Sequence, residues 1–390
     1  MSEGDLDNDS EQIDAEESDL TNSDVCTKYR EAAKIANLAL RGLTLQATVG
    51  TRVLDLCKFG DDVIVRKCAT IYTKKVKGKI VERGIAFPTC VSINECVCHN
   101  SPFESDQDQQ VIGVGDVVKF DVGCHIDGYI AVAAHTIFAG VPMTPDIPIT
   151  GRKADILQAA HTALELATKL LQPGNTNSQV TSALKRVTDA YDVNMIFGLL
   201  THRMKRFVID GNKVIIMRDH IDQKVQSESF ELNEVYALDI ALSTGDGKPR
   251  ESLAKTTIFK RAVDKNYRLK MRASRSLYNE VNAKYPALPF GLRMFEDERQ
   301  ARMGVVECLK HDLLNAYPVL YERPGSLTVH VKSTVLILPS GPTRVTGLLV
   351  FEPNTVVSDK VLDSDLATLM ATSSKRKKKK GKKQASFAVP

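Results

Sequence analysis

Three charged side chains lie inside apolar, strand-like runs. Asp121 sits in Val117-Val118-Lys119-Phe120-Asp121-Val122-Gly123, and Asp239 in Glu234-Val235-Tyr236-Ala237-Leu238-Asp239-Ile240. Lys332 occupies the equivalent place in Val331-Lys332-Ser333-Thr334-Val335, and His99 closes an earlier apolar segment after Cys98. A carboxylate inside such a run is costly to bury unless a metal, a cation or hydrogen bonds compensate it. Two carboxylates, an imidazole and an ammonium converging on a sheet could hold a metal or neutralise one another. Spacing alone does not choose, because the segments lie far apart in the chain. The phosphate-binding Gly-Lys-Ser/Thr loop, the dinucleotide fingerprint and the Gly-x-Ser-x-Gly elbow are all missing.

The elements that must position these groups alternate in two rounds. Helices are expected over Lys28–Arg41 and Val53–Val76, the second broken at Gly60. Strands are expected over Ile85–Val97 and Val117–Phe138, then helices over Asp155–Leu171 and Ser178–Tyr191. The order recurs with strands at Arg206–Met217, Glu234–Ser243 and Thr256–Phe259, and helices at Arg272–Lys284 and Phe295–Leu314. A last strand pair is expected at Leu327–Leu338 and Gly347–Phe351. This points to an internal duplication around one curved, mixed sheet of α/β class.

The chain has 390 residues, 43% hydrophobic and 26% charged, as in globular proteins. Its net charge of +4 hides an asymmetry. Residues 1–25 hold ten acids and no Lys or Arg, while 375–383 hold eight bases and no acid. Removing those acids from 48 and those bases from 52 leaves 38 against 44, so the central body is itself basic. A basic body with a basic tail suits a polyanion such as nucleic acid. The acidic residues 1–25 read as a disordered, solubilising arm. The eight scattered cysteines read as reduced thiols of a cytosolic or nuclear protein, and no segment reads as membrane-spanning or as a secretion signal.

Longer motifs carry a family resemblance. Cys90-Val91-Ser92-Ile93-Asn94-Glu95-Cys96-Val97-Cys98-His99 and Lys119-Phe120-Asp121-Val122-Gly123-Cys124-His125-Ile126-Asp127-Gly128 resemble type 2 methionine aminopeptidases. Ser105-Asp106-Gln107-Asp108, Phe295-Glu296-Asp297-Glu298, Ala301 to Cys308 and the lysine-rich C-terminus are closer still to the proliferation-associated, ErbB-receptor-binding proteins. The resemblance runs from Tyr29 to Pro353. It implies a pseudo-twofold pita-bread domain over 26–353, a small helical insert over about 265–320, and a C-terminal tail over 354–390.

The resemblance also implies how a dinuclear metal site has changed. Its five ligand positions fall on Asp121, Val132, His202, Asp239 and Lys332. Asp121 and His202 are kept, Asp239 is a carboxylate one methylene shorter, a valine cannot bind a metal, and a lysine brings positive charge to a cation site. The two substrate-side histidines fall on His99 and Asp210. No bound metal or cofactor is therefore expected, with the Lys332 ammonium neutralising Asp121 and Asp239 instead. His125 and His135 are the remaining candidates for a ligand that the alignment hides, against a structural role.

For binding, the run Lys375, Arg376, Lys377, Lys378, Lys379, Lys380, Lys382 and Lys383 is a phosphate-contacting tail or nuclear and nucleolar address. Lys265, Arg268, Lys270, Arg272 and Arg275 at the start of the insert add a second basic surface, though solvated helix faces have the same composition. The resemblance implies a non-catalytic factor on ribosomal RNA and the large ribosomal subunit, on other RNA and in some members DNA, and with protein partners in signalling or transcription. It also implies roles in ribosome biogenesis, translation or growth control, in cytoplasm and nucleus. The alternatives are a metal-dependent aminopeptidase with altered ligands and a protein-binding scaffold.

Overall fold

The structure is a computed structural model. It describes residues 19–75, 78–106, 109–218, 225–251, 254–349 and 354–372. The lysine run 375–383 and residues 1–18 lie outside the described residues.

Folding starts earlier than composition suggests. Helix α1 spans Ser23–Gln46, capped by the Asn22 side chain, and buries Val25, Tyr29, Ala32, Ala36, Ala39, Leu40 and Leu43 on one face. Residues 19–25, expected to be disordered, thus include a helix cap and first turn, and Leu20 is buried. Helix α2, Val53–Ala69, passes through Gly60 unbroken. Gly60 is instead the point of closest approach to the sheet: a Cβ there would lie 2.6 Å from the Thr89 side chain. The glycine serves packing and does not end the helix.

Strands β1 (Arg83–Ile93), β2 (Cys96–Cys98), β3 (Val117–Ile126) and β4 (Tyr129–Phe138) follow, the last two joined through Asp127-Gly128. Helices α3 (Gly151–Leu170) and α4 (Asn177–Tyr191) open the second round, α4 with a Thr176/Gln179 capping box. Then come β5 (Asn194–Met195), β6 (Leu200–Met204), β7 (Val214–Ile216), β8 (Val235–Ser243) and β9 (Arg250–Glu251). The single strand expected over 206–217 is instead two short strands flanking a tight excursion. Phe207 there takes a left-handed φ of +57° and Lys205 bridges Val208.

Next are β10 (Ile258–Arg261), α5 (Arg272–Lys284), β11 (Phe290–Gly291), α6 (Glu298–Lys310), β12 (Leu314–Tyr317), β13 (Leu320–Tyr321), β14 (Thr328–Leu338), β15 (Gly341–Arg344) and α7 (Ser364–Ala371). The last strand pair is β14 with β15, through a tight turn. Gly347–Leu349, expected as strand, is irregular, and residues 350–353 lie outside the described residues.

The principal antiparallel sheet runs β1-β3-β4-β14-β8-β6-β7, with β15 and β5 attached. Period two divides its faces. Val118, Phe120, Val122, Ala131 and Ala133 pack with α1 and α2, while Leu238, Ile240, Leu242, Val331 and Val335 pack with α3 and α4. Two helices thus back each half of one sheet, which is the pita-bread arrangement. The alternate residues, among them Asp121, Val132, Asp239 and Lys332, face the other way.

The insert is not purely helical. It begins at β10 and carries its own small sheet, β11-β10-β12, against α5 and α6. Phe259, Phe290, Phe295, Leu277, Val281 and Val305 form its separate core. Strands of two to four residues are too short to show a period in the sequence. A buried Arg293–Asp61 ion pair of 2.5 Å ties the insert to α2.

Candidate functional site

One cross-strand row carries the charges. Asp121 is opposite Ala134, Ala134 opposite Lys332, and Lys332 opposite Asp239. Asp121 and Lys332 therefore sit two strand spacings apart, roughly 10 Å. The short Ala134 side chain leaves the space between them open. Lys332 Nζ spans it, donating to Asp121 Oδ2 at 2.6 Å and lying 3.0 Å from Asp239 Oδ2. His330, on the same face of β14, places Nε2 2.5 Å from Asp239 Oδ1. Asp239 N donates to Thr201 Oγ1 on β6, pinning the backbone.

Burial alone would lower the Lys332 ammonium, yet the Asp121 and Asp239 carboxylates raise it well above its ordinary value. Burial would likewise raise the Asp239 carboxyl, but Lys332 and His330 hold it below the usual carboxylate range. The ammonium is thus fixed as a cation at neutral pH.

Lys332 and Asp239 line a pocket of about 330 Å³, with Asp121 and His330 behind them. Val132, His202, Asp239 and Lys332 line it with His99 and Asp210, under walls that include Phe87, Ile209, Tyr317 and Leu320. His99 accepts a left-handed φ of +66°. Its ring packs against Phe87 and Tyr317, with Nδ1 3.0 Å from the Pro318 carbonyl. Burial pushes its imidazole down to about 4, so it is neutral at pH 7. His202 places Nδ1 3.1 Å from the Gly211 carbonyl. Asp210 is held by Lys260 of the insert. The fold therefore brings together all seven residues singled out from the sequence for this site. His330 was not among them. Its position two residues before Lys332, on the same strand face, was the available signal.

His125 and His135 do not join the site. His125 is buried, with Nδ1 accepting from Gly128 N, and His135 is buried beside His161. The arrangement does not fit a pair of divalent ions. A fixed ammonium stands between the two carboxylates a cation would bridge, and Val132 supplies only methyl groups. Asp121 Oδ1 is a buried acceptor with no hydrogen-bond partner among the described residues. One spare oxygen beside an ammonium does not make a divalent site.

At the insert, Lys265, Arg268, Lys270, Arg272 and Arg275 are all exposed. They surround the entry to α5, where Glu307 accepts from the Lys270 and Met271 amides. Tyr267 stacks on His311 with centroids 3.5 Å apart, so it packs inward and is not left as a free platform.

The pattern of metallopeptidase family M24 matches residues 27–233. ErbB-3 binding protein 1 of Solanum tuberosum is 47% identical over 385 residues, covering 96% of this chain and 97% of its own. Proliferation-associated protein A of Dictyostelium discoideum is 43% identical over 371 residues, covering 95% and 94%. Among solved structures, a thermophilic Arx1 superposes with a TM-score of 0.84 at 27% identity, covering 91% of this chain and all of that one. This chain belongs to the M24 metallopeptidase family, in the branch of the ErbB-3-binding and proliferation-associated proteins that share the methionine aminopeptidase fold.

Proposed function

We propose that this chain is a non-catalytic binding protein that keeps the aminopeptidase fold as a scaffold and docks on RNA of the large ribosomal subunit. The observation that carries the first half is the Lys332 ammonium between Asp121 and Asp239. Two-metal hydrolysis needs adjacent divalent ions to activate a water. A buried lysine neutralises the same carboxylates without chemistry.

Support for an RNA partner is electrostatic. Lys265, Arg268, Lys270, Arg272 and Arg275 form an exposed basic edge on the insert, and the chain also carries the run Lys375–Lys383. Such surfaces contact phosphates and carry little sequence information. The reading places the protein in cytoplasm and nucleus, with the run 375–383 as nuclear or nucleolar address. Among the described residues no helix is long and apolar enough to cross a membrane.

The test is co-sedimentation with purified large ribosomal subunits at low and moderate salt. Three chains are compared: full length, one ending at Ser374, and one with the five insert bases changed to Glu. Binding that survives loss of the tail but fails in the insert variant is the expected result. Tail loss should lower the salt slope by roughly 0.7 per single-strand phosphate contact removed. Binding that disappears with the tail alone would reduce the claim to nonspecific attraction. It would shift weight to a protein scaffold, the reading favoured by the relative named for binding ErbB-3.

A further inference from the structure

Away from the charged row, two cysteines from different elements meet. Cys68 lies in the last turn of α2, and Cys124 lies on β3 with its side chain on the helix-facing side. Their sulfurs are 3.7 Å apart. Cys124 is fully buried. Cys68 also lines an open pocket of about 580 Å³ at the edge of the insert, together with Arg83, His125 and Pro286.

We propose that Cys68 and Cys124 form an oxidisable dithiol, a modification site at which a hydroperoxide such as hydrogen peroxide closes a disulfide between α2 and the sheet. Three further features support it. A disulfide needs the sulfurs to approach by about 1.7 Å, to roughly 2.0 Å. Cys68 stands at the end of a helix that stops at Ala69, and helix ends fray. The pocket brings a small oxidant up to Cys68, which is 3% exposed.

Its thiol is also the one poised to react. The contact with Cys124 lowers the Cys68 thiol against the upward push of burial, with Arg83 adding to the lowering. The other seven cysteines are all shifted upward, chiefly by burial. A thiolate is the nucleophile in such reactions.

The steps balance. The Cys68 thiolate attacks one peroxide oxygen, the O–O bond breaks, and the sulfur gains OH as Cys68 sulfenic acid; the hydroxide released takes a proton to become water. The Cys124 sulfur then attacks the Cys68 sulfur. The S–S bond forms, the S–OH bond breaks, and the hydroxyl leaves as water with the Cys124 proton. Overall the two thiols lose two electrons and two protons, and the peroxide is reduced to two waters.

The experiment treats the reduced full-length chain with graded hydrogen peroxide. The chain is then denatured, alkylated, digested and mapped by mass spectrometry. The expected product is a Cys68–Cys124 linked peptide pair, two hydrogens lighter than its parts, that dithiothreitol restores. Cys68→Ser and Cys124→Ser should each abolish it. Circular dichroism checks that these variants fold, and the wild-type map decides independently if they do not. Both thiols recovered alkylated at a dose that already oxidises the more exposed Cys26 would overturn the proposal. So would Cys68 sulfinic acid accumulating beside an unmodified Cys124.

Discussion

Lys332 Nζ and Asp121 Oδ2 lie 2.6 Å apart although their strands are not neighbours. β4 runs between them, and the residue it contributes to the row is Ala134. A larger side chain there would separate the ion pair. The charge balance of this site therefore depends on an alanine as much as on the charged residues.

Lys332→Met should destabilise the protein by about 3–5 kcal/mol, because it leaves two buried carboxylates without their cation. Urea unfolding at pH 7 measures this. A loss below about 1 kcal/mol would mean that the pair is solvated and that the ammonium is not structural.

The double variant Val132→Asp with Lys332→Glu adds carboxylates beside Asp121, His202 and Asp239. It should retain manganese through gel filtration in excess of the parent chain, as read by elemental analysis. Equal, stoichiometric manganese in both proteins would show that Lys332 does not keep a cation out, and would revive the peptidase reading.

Stability should fall as pH drops from about 7 towards 4. Burial holds His99, His125 and His135 down to about 4, and His161 to about 3. In the unfolded chain each titrates near 6.5. Between those values the unfolded state binds more protons, so acid favours unfolding. Each imidazole that stays neutral contributes up to about 1.4 kcal/mol per pH unit. Asp239 adds nothing above about pH 5, where its carboxyl is ionised in both states; nearer pH 4 the unfolded chain protonates it first, because Lys332 and His330 hold the folded carboxyl lower, and this adds to the loss. Denaturant midpoints at pH 7, 6 and 5 test this, and a flat profile contradicts it.

Gly60→Ala should be destabilising by about 1–3 kcal/mol despite alanine's better helix propensity. The new methyl would meet Thr89 at 2.6 Å and push α2 off β1. Thermal unfolding of Gly60→Ala, and of Gly60→Ala with Thr89→Ala, separates the two effects. The second change should recover part of the loss.

Much of this was legible in the residues. Richness in Val, Ile and Phe marked Val117–Phe138, Glu234–Ser243 and Leu327–Leu338 as strand. These runs lie within a residue of the outer ends of β3 and β4 and the ends of β8 and β14, but without the turn that divides β3 from β4. A lone charge inside such a run must find a partner. That argument singled out Asp121, Asp239 and Lys332 without any contact information, since the cost of burying a charge is local. Arg272–Lys284 was readable as a helix to the residue.

The rest was decided by long-range contacts. Gly60 looked like a helix break, but the packing of α2 on Thr89 makes it a fit. The strands of the insert and of Leu200–Ile216 are too short to carry a period, and neighbouring strands hold them. The place of His330 two residues before Lys332 puts it on the same strand face, but that it meets a carboxylate 91 residues earlier is decided only by strand pairing. Cys68 and Cys124 are separated by 56 positions, and only the seating of α2 on β3 brings their sulfurs together. Sequence determined which groups must find partners, through burial and period. The register of β3, β4, β14 and β8 decided which partners they find, because hydrogen-bonded pairing sets the row in which each side chain stands.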